Sequence, residues 1–146
     1  MRILMIGDIV GKPGRLVLQQ KLKQIVSRYE IDFVIANGEN AAGGNGLTKM
    51  IAEELFSYGV DAITMGNHVW DKREIYDFID IEKKVIRPAN YPKDTPGSGF
   101  EVFKLANGEK IGIINILGRV FMTEHLDCPF RIIREILQTV SKLTPN

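Results

Sequence analysis

The stretch Ile3-Leu4-Met5-Ile6-Gly7-Asp8 joins an apolar run to a glycine and a polar residue, and this pattern occurs three times along the chain. Phe33-Val34-Ile35-Ala36 leads into Asn37-Gly38-Glu39-Asn40, and Val60 to Met65 leads into Gly66-Asn67-His68. Each apolar run has the length and composition of a strand buried on both faces. The runs recur at close to the ~30 residues of one βαβ unit. The sequence therefore predicts a parallel β-sheet.

Helical patterns separate these strands. The first is marked by apolar residues at helical spacing: Leu18, Leu22, Ile25, Val26 and Tyr29. Thr48 is placed to cap a second helix with Ile51, Leu55 and Phe56 on its apolar face. Asp71 and Glu74 resemble a capping box, which predicts a third helix carrying Ile75, Phe78 and Ile79. The order βαβαβα indicates a parallel sheet with right-handed crossovers.

The second half of the chain has a different pattern. Residues 87–99 are rich in proline, glycine and asparagine, which is typical of a loop. Phe100 to Leu105 and Lys110 to Leu117 predict two strands, because the intervening Asn107-Gly108 is a strong hairpin signal. Pro129 is expected to open a last helix with one apolar stripe formed by Ile132, Ile133, Ile136, Leu137 and Val140.

The composition limits the class of protein. The chain has 146 residues, of which 45% are hydrophobic and 25% charged, with a net charge of +1. This balance favours a single soluble globular domain over a disordered chain. The apolar run at residues 3–6 is too short to span a membrane, and the charge gives no support to a nucleic-acid partner. Because the single cysteine, Cys128, cannot form an internal disulfide, we expect a cytoplasmic protein.

Polar residues end the three predicted strands: Asp8 after the first, Glu39-Asn40 after the second, and Asn67-His68 after the third. Open parallel sheets bind ligands beyond the carboxyl ends of their strands. Oxygen donors combined with imidazole suit Mn, Fe or Zn. Glu39 could bridge two metals, with Asp8 on one and Asn67 on the other, and two such metals can clamp a phosphate and activate a water. His68 would then be free to act as a general acid.

Simpler interpretations exist for each motif taken alone. Asp8 could be a helix cap, Gly38-Glu39-Asn40 ordinary turn chemistry, and Asn67-His68 a cap for the turn before Asp71. Their coincidence at one end of three strands favours a site. Neither glycine-rich segment is a nucleotide-binding loop: residues 7–12 lack the P-loop spacing, and residues 43–46 lack the dinucleotide pattern.

Three basic residues near these motifs, Lys12, Arg15 and Lys72, could meet a substrate phosphate or be solvated surface charges. The other histidine, His125, is predicted to lie on the surface. Residues 43–46 are interpreted as a flexible loop beside Glu39. The substrate-binding residues are unknown from sequence.

The motifs resemble those of a known family. Residues 1–15 are similar to the start of the YmdB-type metallophosphoesterases, a branch of the calcineurin-like superfamily. Residues 37–44 and 64–71 match the next two motifs of that family, and Arg87-Pro88-Ala89-Asn90-Tyr91-Pro92 fits as well. The resemblance follows the chain in order over nearly its whole length.

This resemblance implies an α/β fold, a sandwich of β-sheets flanked by helices. It also implies two divalent metal ions, Fe or Mn before Zn or Mg, that cleave phosphodiesters, with cyclic nucleotides such as 2′,3′-cyclic AMP as candidate substrates. By motif match, Asp8, Glu39, Asn40 and Asn67 would be metal ligands, and His68 the proton donor.

One departure from the family pattern concerns histidines. The family carries three further metal-binding histidines in two later motifs, and neither motif occurs here. Residues 1–146 are therefore expected to be the N-terminal part of a metallophosphoesterase domain, truncated at the C-terminus by fragmentation, an early stop or a partial gene model. The alternative is a non-catalytic protein that binds a nucleotide or a partner. A sheet cut short would leave apolar surface open, which makes a homo-oligomer an additional expectation.

Overall fold

The computed structural model of the protein describes residues 1–144 and contains six strands and three α-helices in that part of the chain. The elements, in chain order, are β1 (Ile3–Ile6), α1 (Gly11–Tyr29), β2 (Phe33–Asn37), α2 (Lys49–Tyr58), β3 (Ala62–Thr64), β4 (Val85–Ile86), β5 (Phe100–Lys104), β6 (Lys110–Ile114) and α3 (Pro129–Leu143). Two 3₁₀ turns, Asn67–Trp70 and Arg73–Asp77, connect β3 to β4.

The first four strands form one parallel sheet in the order β1-β2-β3-β4. The predicted parallel sheet is therefore confirmed. Because consecutive parallel strands are neighbours, the residues that follow β1, β2 and β3 all emerge at the same edge of the sheet.

Two apolar layers cover the two faces of this sheet. On one face α1 and α2 pack their buried leucines, Leu22 and Leu55, against alternate strand residues such as Val34 and Ile63. On the other face the hairpin β5–β6 packs against the remaining strand residues, and that cluster consists of Phe33, Ile35, Ala62, Ile86, Leu105, Ile111 and Ile113. Helix α3 contacts the hairpin strands. The sheets and helices thus form the predicted layered α/β arrangement.

The prediction that β1 is buried on both faces is wrong for one face. Ile3 and Met5 are 44% and 73% exposed, although they lie in register with the buried Phe33 and Ile35 of β2. The hairpin covers the strands from β2 to β4 but leaves these two side chains open. β1 is also an edge strand of the sheet.

The predicted third helix is also wrong. The Glu74 side chain accepts a hydrogen bond from the backbone N–H of Lys49 at 3.0 Å and so caps α2 instead of its own segment. The Asp71 carboxylate is hydrogen-bonded to the side chains of His68 and Asn45. Neither carboxylate caps a helix in its own segment, and the structure has only the two 3₁₀ turns there, Asn67–Trp70 and Arg73–Asp77.

The remaining elements are confirmed in type, although β3 and β6 are shorter than predicted: β3 is Ala62–Thr64 and β6 ends at Ile114 instead of Leu117. The Thr48 hydroxyl accepts a hydrogen bond from the N–H of Ile51 at 3.4 Å, which caps α2. Gly108 has a positive φ of 88° in the turn between β5 and β6, the conformation of the glycine in a three-residue hairpin loop. Helix α3 begins at Pro129.

Candidate metal centre at the carboxyl ends of the strands

The residues that follow β1 and β2 lie in direct contact. The Nδ2 atom of Asn40 donates to both carboxylate oxygens of Asp8, at 3.0 Å and 2.9 Å. The backbone supports this approach, because the N–H of Gly11 donates to the carbonyl of Asn40 at 2.9 Å. The structure thus joins two of the four predicted ligands, Asp8 and Asn40.

Glu39 lies between the ends of β2 and β3. One carboxylate oxygen, Oε2, accepts from the backbone N–H of His68 at 3.2 Å. The Nδ2 atom of Asn37 lies 3.4 Å from the other oxygen, and the Oδ1 atom of Asn37 accepts from the Glu39 N–H at 3.2 Å. Glu39 therefore contacts the turn that carries Asn67 and His68.

Gly66 makes this contact possible. A β-carbon at position 66 would stand 2.1 Å and 2.2 Å from the two carboxylate oxygens of Glu39, far inside van der Waals contact. The carboxylate therefore packs directly on the backbone at the end of β3. Asn67 follows Gly66 and begins the first 3₁₀ turn, so it lies in sequence between the two residues whose backbone the Glu39 carboxylate approaches, Gly66 and His68.

His68 is held by Asp71. Its Nδ1 atom lies 2.8 Å from Oδ2 of Asp71, and the two side chains are 39% and 34% exposed. The hydrogen bond to His68, helped by one from Asn45, lowers the pKa of Asp71 below its usual value. Asp71 thus remains an anionic acceptor over a wide pH range.

The donor set is compatible with a divalent metal but incomplete. Asp8 and Glu39 supply carboxylates, and Asn40 and Asn67 supply amides. However, within residues 1–144 no group of three or more His, Cys, Asp or Glu side chains is close enough to hold a metal ion. The metal site at these four residues therefore stays a prediction.

Two of the three basic residues have protein partners. Arg15 donates to Glu54 at 3.0 Å and to the carbonyl of Ala41 at 2.6 Å, and Lys72 donates to the Oδ1 atom of Asn45 at 3.1 Å. Arg15 and Lys72 therefore each connect separate segments of the chain. His125 is exposed, as predicted.

Sequence reasoning misses three residues around the site: Asn37, Asn45 and Asp71. The spacing of Asp71 to Glu74 indicates a helix cap, although its position three residues after His68 is a signal for a side-chain contact. Asn37 accepts from the backbone N–H two residues later, an Asx turn that its position before Gly38-Glu39 allows, whereas Asn45 binds residues 26 and 27 positions away, which no local spacing rule indicates.

Within residues 1–144, none of the helices combines the length and the hydropathy that a bilayer crossing requires.

The fold and the polar edge define an α/β protein of the calcineurin-like type, which confirms the predicted fold class. The chain belongs to the YmdB-like protein family, whose model matches residues 4–146. The predicted family is thereby confirmed.

Relatives with known names or structures extend this assignment. A Bacillus subtilis (strain 168) protein named 2′,3′-cyclic-nucleotide 2′-phosphodiesterase is 49% identical over 145 residues, which cover 99% of this chain and 54% of that protein. A crystal structure of a hypothetical protein from Thermus thermophilus superposes with a TM-score of 0.87 at 43% identity, covering 94% of this chain and 53% of that one.

A crystal structure of a novel phosphatase from Mycoplasma pneumoniae gives a TM-score of 0.85 at 34% identity, covering 94% of this chain and 50% of that one. The chain thus spans about half the length of the relatives it matches.

Proposed function

We propose that this chain provides one part of the active site of a metal-dependent phosphodiesterase, and that the substrate is a small phosphodiester such as a 2′,3′-cyclic nucleotide. The observation that carries the proposal is the convergence of Asp8, Glu39 and Asn40 with the turn at Asn67-His68 on one sheet edge. The Bacillus subtilis relative, named as a phosphodiesterase of this substrate class, supports the choice of substrate.

In this proposal Asp8, Glu39, Asn40 and Asn67 hold two divalent metal ions, with Glu39 shared between them. We place Fe or Mn before Zn or Mg, which is the order that the resemblance to the metallophosphoesterases implies. Metal ions bound here would supply Lewis acidity and an activated water for in-line attack at phosphorus.

His68 provides the proton in this scheme. Its Nδ1–H is donated to Asp71, so a second proton on Nε2 can pass to the leaving oxygen as the phosphodiester bond breaks. Once that proton has left, His68 is neutral with Nδ1–H still bound to Asp71. General acids of this kind typically contribute about 10²–10⁴-fold to the rate.

The four proposed ligands are too few for two tightly bound transition metals. Two carboxylates and two neutral amides offer no imidazole, unless His68 leaves its role. We propose that further imidazole ligands come from polypeptide outside these 146 residues, and that the chain by itself binds metal weakly and hydrolyses phosphodiesters little.

A hybrid protein tests this function. Residues 1–146 of this chain would replace the matching half of the Bacillus subtilis relative, to which they are 49% identical. We expect the hybrid to hydrolyse 2′,3′-cyclic AMP in a chelator-sensitive manner, and we expect Glu39→Gln to abolish both activity and metal binding, because a neutral amide cannot compensate two cations. Glu53→Gln, an exposed change on α2, is the matched control.

Calorimetric titration of the 146-residue chain with Mn²⁺ gives a second measurement that does not depend on the hybrid. Weak binding that Glu39→Gln removes supports the proposed ligands. A Glu39→Gln variant that retains its metals contradicts the bridging role of Glu39, and tight binding of two ions by the unaltered chain contradicts the need for outside ligands.

The second candidate function is a non-catalytic nucleotide-binding protein. It is favoured by the lack of a three-residue metal cluster within residues 1–144. A folded hybrid that binds 2′,3′-cyclic AMP in the presence of a chelator, and does not hydrolyse it when metal is supplied, would favour this alternative.

A further inference from the structure

The glycine-rich loop 43–46 is fastened to the segment that follows His68. The amide of Asn45 bridges two neighbouring residues there: its Nδ2 atom donates to Oδ2 of Asp71 at 3.1 Å, and its Oδ1 atom accepts from Nζ of Lys72 at 3.1 Å. One anionic and one cationic partner fix the orientation of this amide.

The backbone of the loop supports the same contact. Gly46 has a positive φ of 73°, and a β-carbon there would stand 2.6 Å from Cγ of Lys72. The loop backbone therefore packs directly on Lys72, which places Asn45 within reach of Asp71. The sequence suggests a flexible loop beside Glu39, whereas the structure shows a loop tied down by three contacts.

One carboxylate oxygen of Asp71 accepts two hydrogen bonds. Its Oδ2 atom accepts from Nδ2 of Asn45 and faces Nδ1 of His68 at 2.8 Å. A carboxylate accepts only, so Nδ1 must carry the proton in this contact. Within residues 1–144 the other ring nitrogen, Nε2, makes no hydrogen bond.

We propose that Asp71 is a positioning residue, which holds His68 in the Nδ1–H tautomer with Nε2 available to substrate, and that Asn45 and Lys72 hold Asp71 in place for this purpose. The inference rests on the proposed function only for the role of His68 as proton donor. The tautomer of His68 that Asp71 selects does not depend on bound metal.

The tautomer can be measured on the metal-free 146-residue chain. Long-range ¹H–¹⁵N correlation spectra distinguish protonated from unprotonated ring nitrogens, at a pH high enough for the imidazoles to be neutral. The chain has two histidines, so a His125→Gln variant assigns the signals of His68. We expect a protonated Nδ1 and an unprotonated Nε2 for His68, which is the reverse of the tautomer that free histidine favours.

Two variants test whether Asp71 sets the tautomer of His68. In Asp71→Ala the ratio of the two tautomers at His68 is expected to invert, because the acceptor is gone. Asp77→Ala, which removes an exposed carboxylate in the next turn, should leave the ratio unchanged. Amide dispersion in the same spectra verifies that each variant is folded.

The proposal is overturned if His68 is the Nε2–H tautomer in the unaltered chain, a measurement that needs no variant. It is also overturned if a folded Asp71→Ala chain keeps the Nδ1–H form. An inactive hybrid protein with an intact Nδ1–H tautomer would contradict the proposed phosphodiesterase and leave the positioning role of Asp71 supported.

Discussion

The carboxylate of Glu39 occupies the space that any side chain at position 66 would need, since a β-carbon there would lie 2.1 Å from Oε2 of Glu39. Gly66, which follows β3, is therefore part of the site, because it permits a carboxylate from the neighbouring strand to reach the turn at Asn67-His68. This relationship predicts the effect of the smallest possible change at position 66.

Gly66→Ala is expected to displace Glu39 and to weaken Mn²⁺ binding by about 10- to 100-fold, the cost typical of changes that misplace a metal ligand. Gly118→Ala is the matched control, because a β-carbon at position 118 meets nothing within 4 Å. Calorimetric titration of both folded variants makes the comparison. Equal affinities would show that Glu39 does not need its observed position to bind metal.

The turn at His68 gives a prediction about turnover. In the hybrid protein, His68→Ala is expected to lower hydrolysis of 2′,3′-cyclic AMP by about 10²–10⁴-fold while metal content is kept. The loss should be smaller for a nitrophenyl phosphodiester, whose good leaving group needs no proton. His125→Ala, on the exposed histidine, should change neither rate. A metal-free His68→Ala protein would instead identify His68 as a ligand.

The convergence of the polar motifs is predictable because it follows from strand order. Apolar runs ending in Gly7-Asp8, Gly38-Glu39 and Gly66-Asn67 indicate parallel strands, and parallel neighbours must align their ends. The exposed face of β1 is not predictable, since Ile3 and Met5 belong to a run as apolar as those of the central strands. The β5–β6 hairpin covers β2 to β4 and does not extend over β1. This depends on tertiary packing and not on the local sequence of β1.

Residues 67–77 show a second limit of sequence reasoning. Asp71 and Glu74 have capping-box spacing, yet each binds other partners: Asn45 with His68 for Asp71, and the N-terminus of α2 for Glu74. A side chain can direct its carboxylate to only one place at a time, so tertiary contacts compete with the local cap for it. Spacing rules describe only the local side of that competition.

A contact between the first two helices predicts a pH-dependent stability. Glu54 on α2 accepts from Tyr58 at 2.7 Å and from Arg15 of α1 at 3.0 Å. The hydrogen bond from Tyr58, followed by the bond and the charge of Arg15, lowers the pKa of Glu54 in the folded state. Because the folded pKa is depressed, the stabilisation is present above the unfolded value of about 4.3 and is lost as the pH falls through the folded value.

Glu54→Gln removes the charge and keeps the shape. We expect it to lower the free energy of unfolding by about 1 kcal/mol at neutral pH, with the difference shrinking as the pH falls below about 4.3. Denaturant titration at several pH values measures this. Glu53→Gln, on the same helix and exposed, should show no such pH-dependent difference, and a Glu54→Gln deficit that stays constant from neutral to acidic pH would contradict the ionic origin.

The open edge of β1 predicts self-association. An edge strand presents unpaired backbone groups, and here its uncovered face adds the apolar side chains of Ile3 and Met5. We expect the 146-residue chain to form oligomers whose fraction rises with concentration. Met5→Lys should reduce that fraction, because a lysine on an edge strand discourages pairing with another chain.

Met50→Lys is a matched control: Met50 lies on α2 and is 72% exposed, against 73% for Met5. Sedimentation velocity at several concentrations compares the three proteins. If both lysine variants reduce association equally, general surface charge is responsible. If neither variant reduces association, the chains do not associate through the edge of β1. Association through β1 is supported only if Met5→Lys reduces it and Met50→Lys does not.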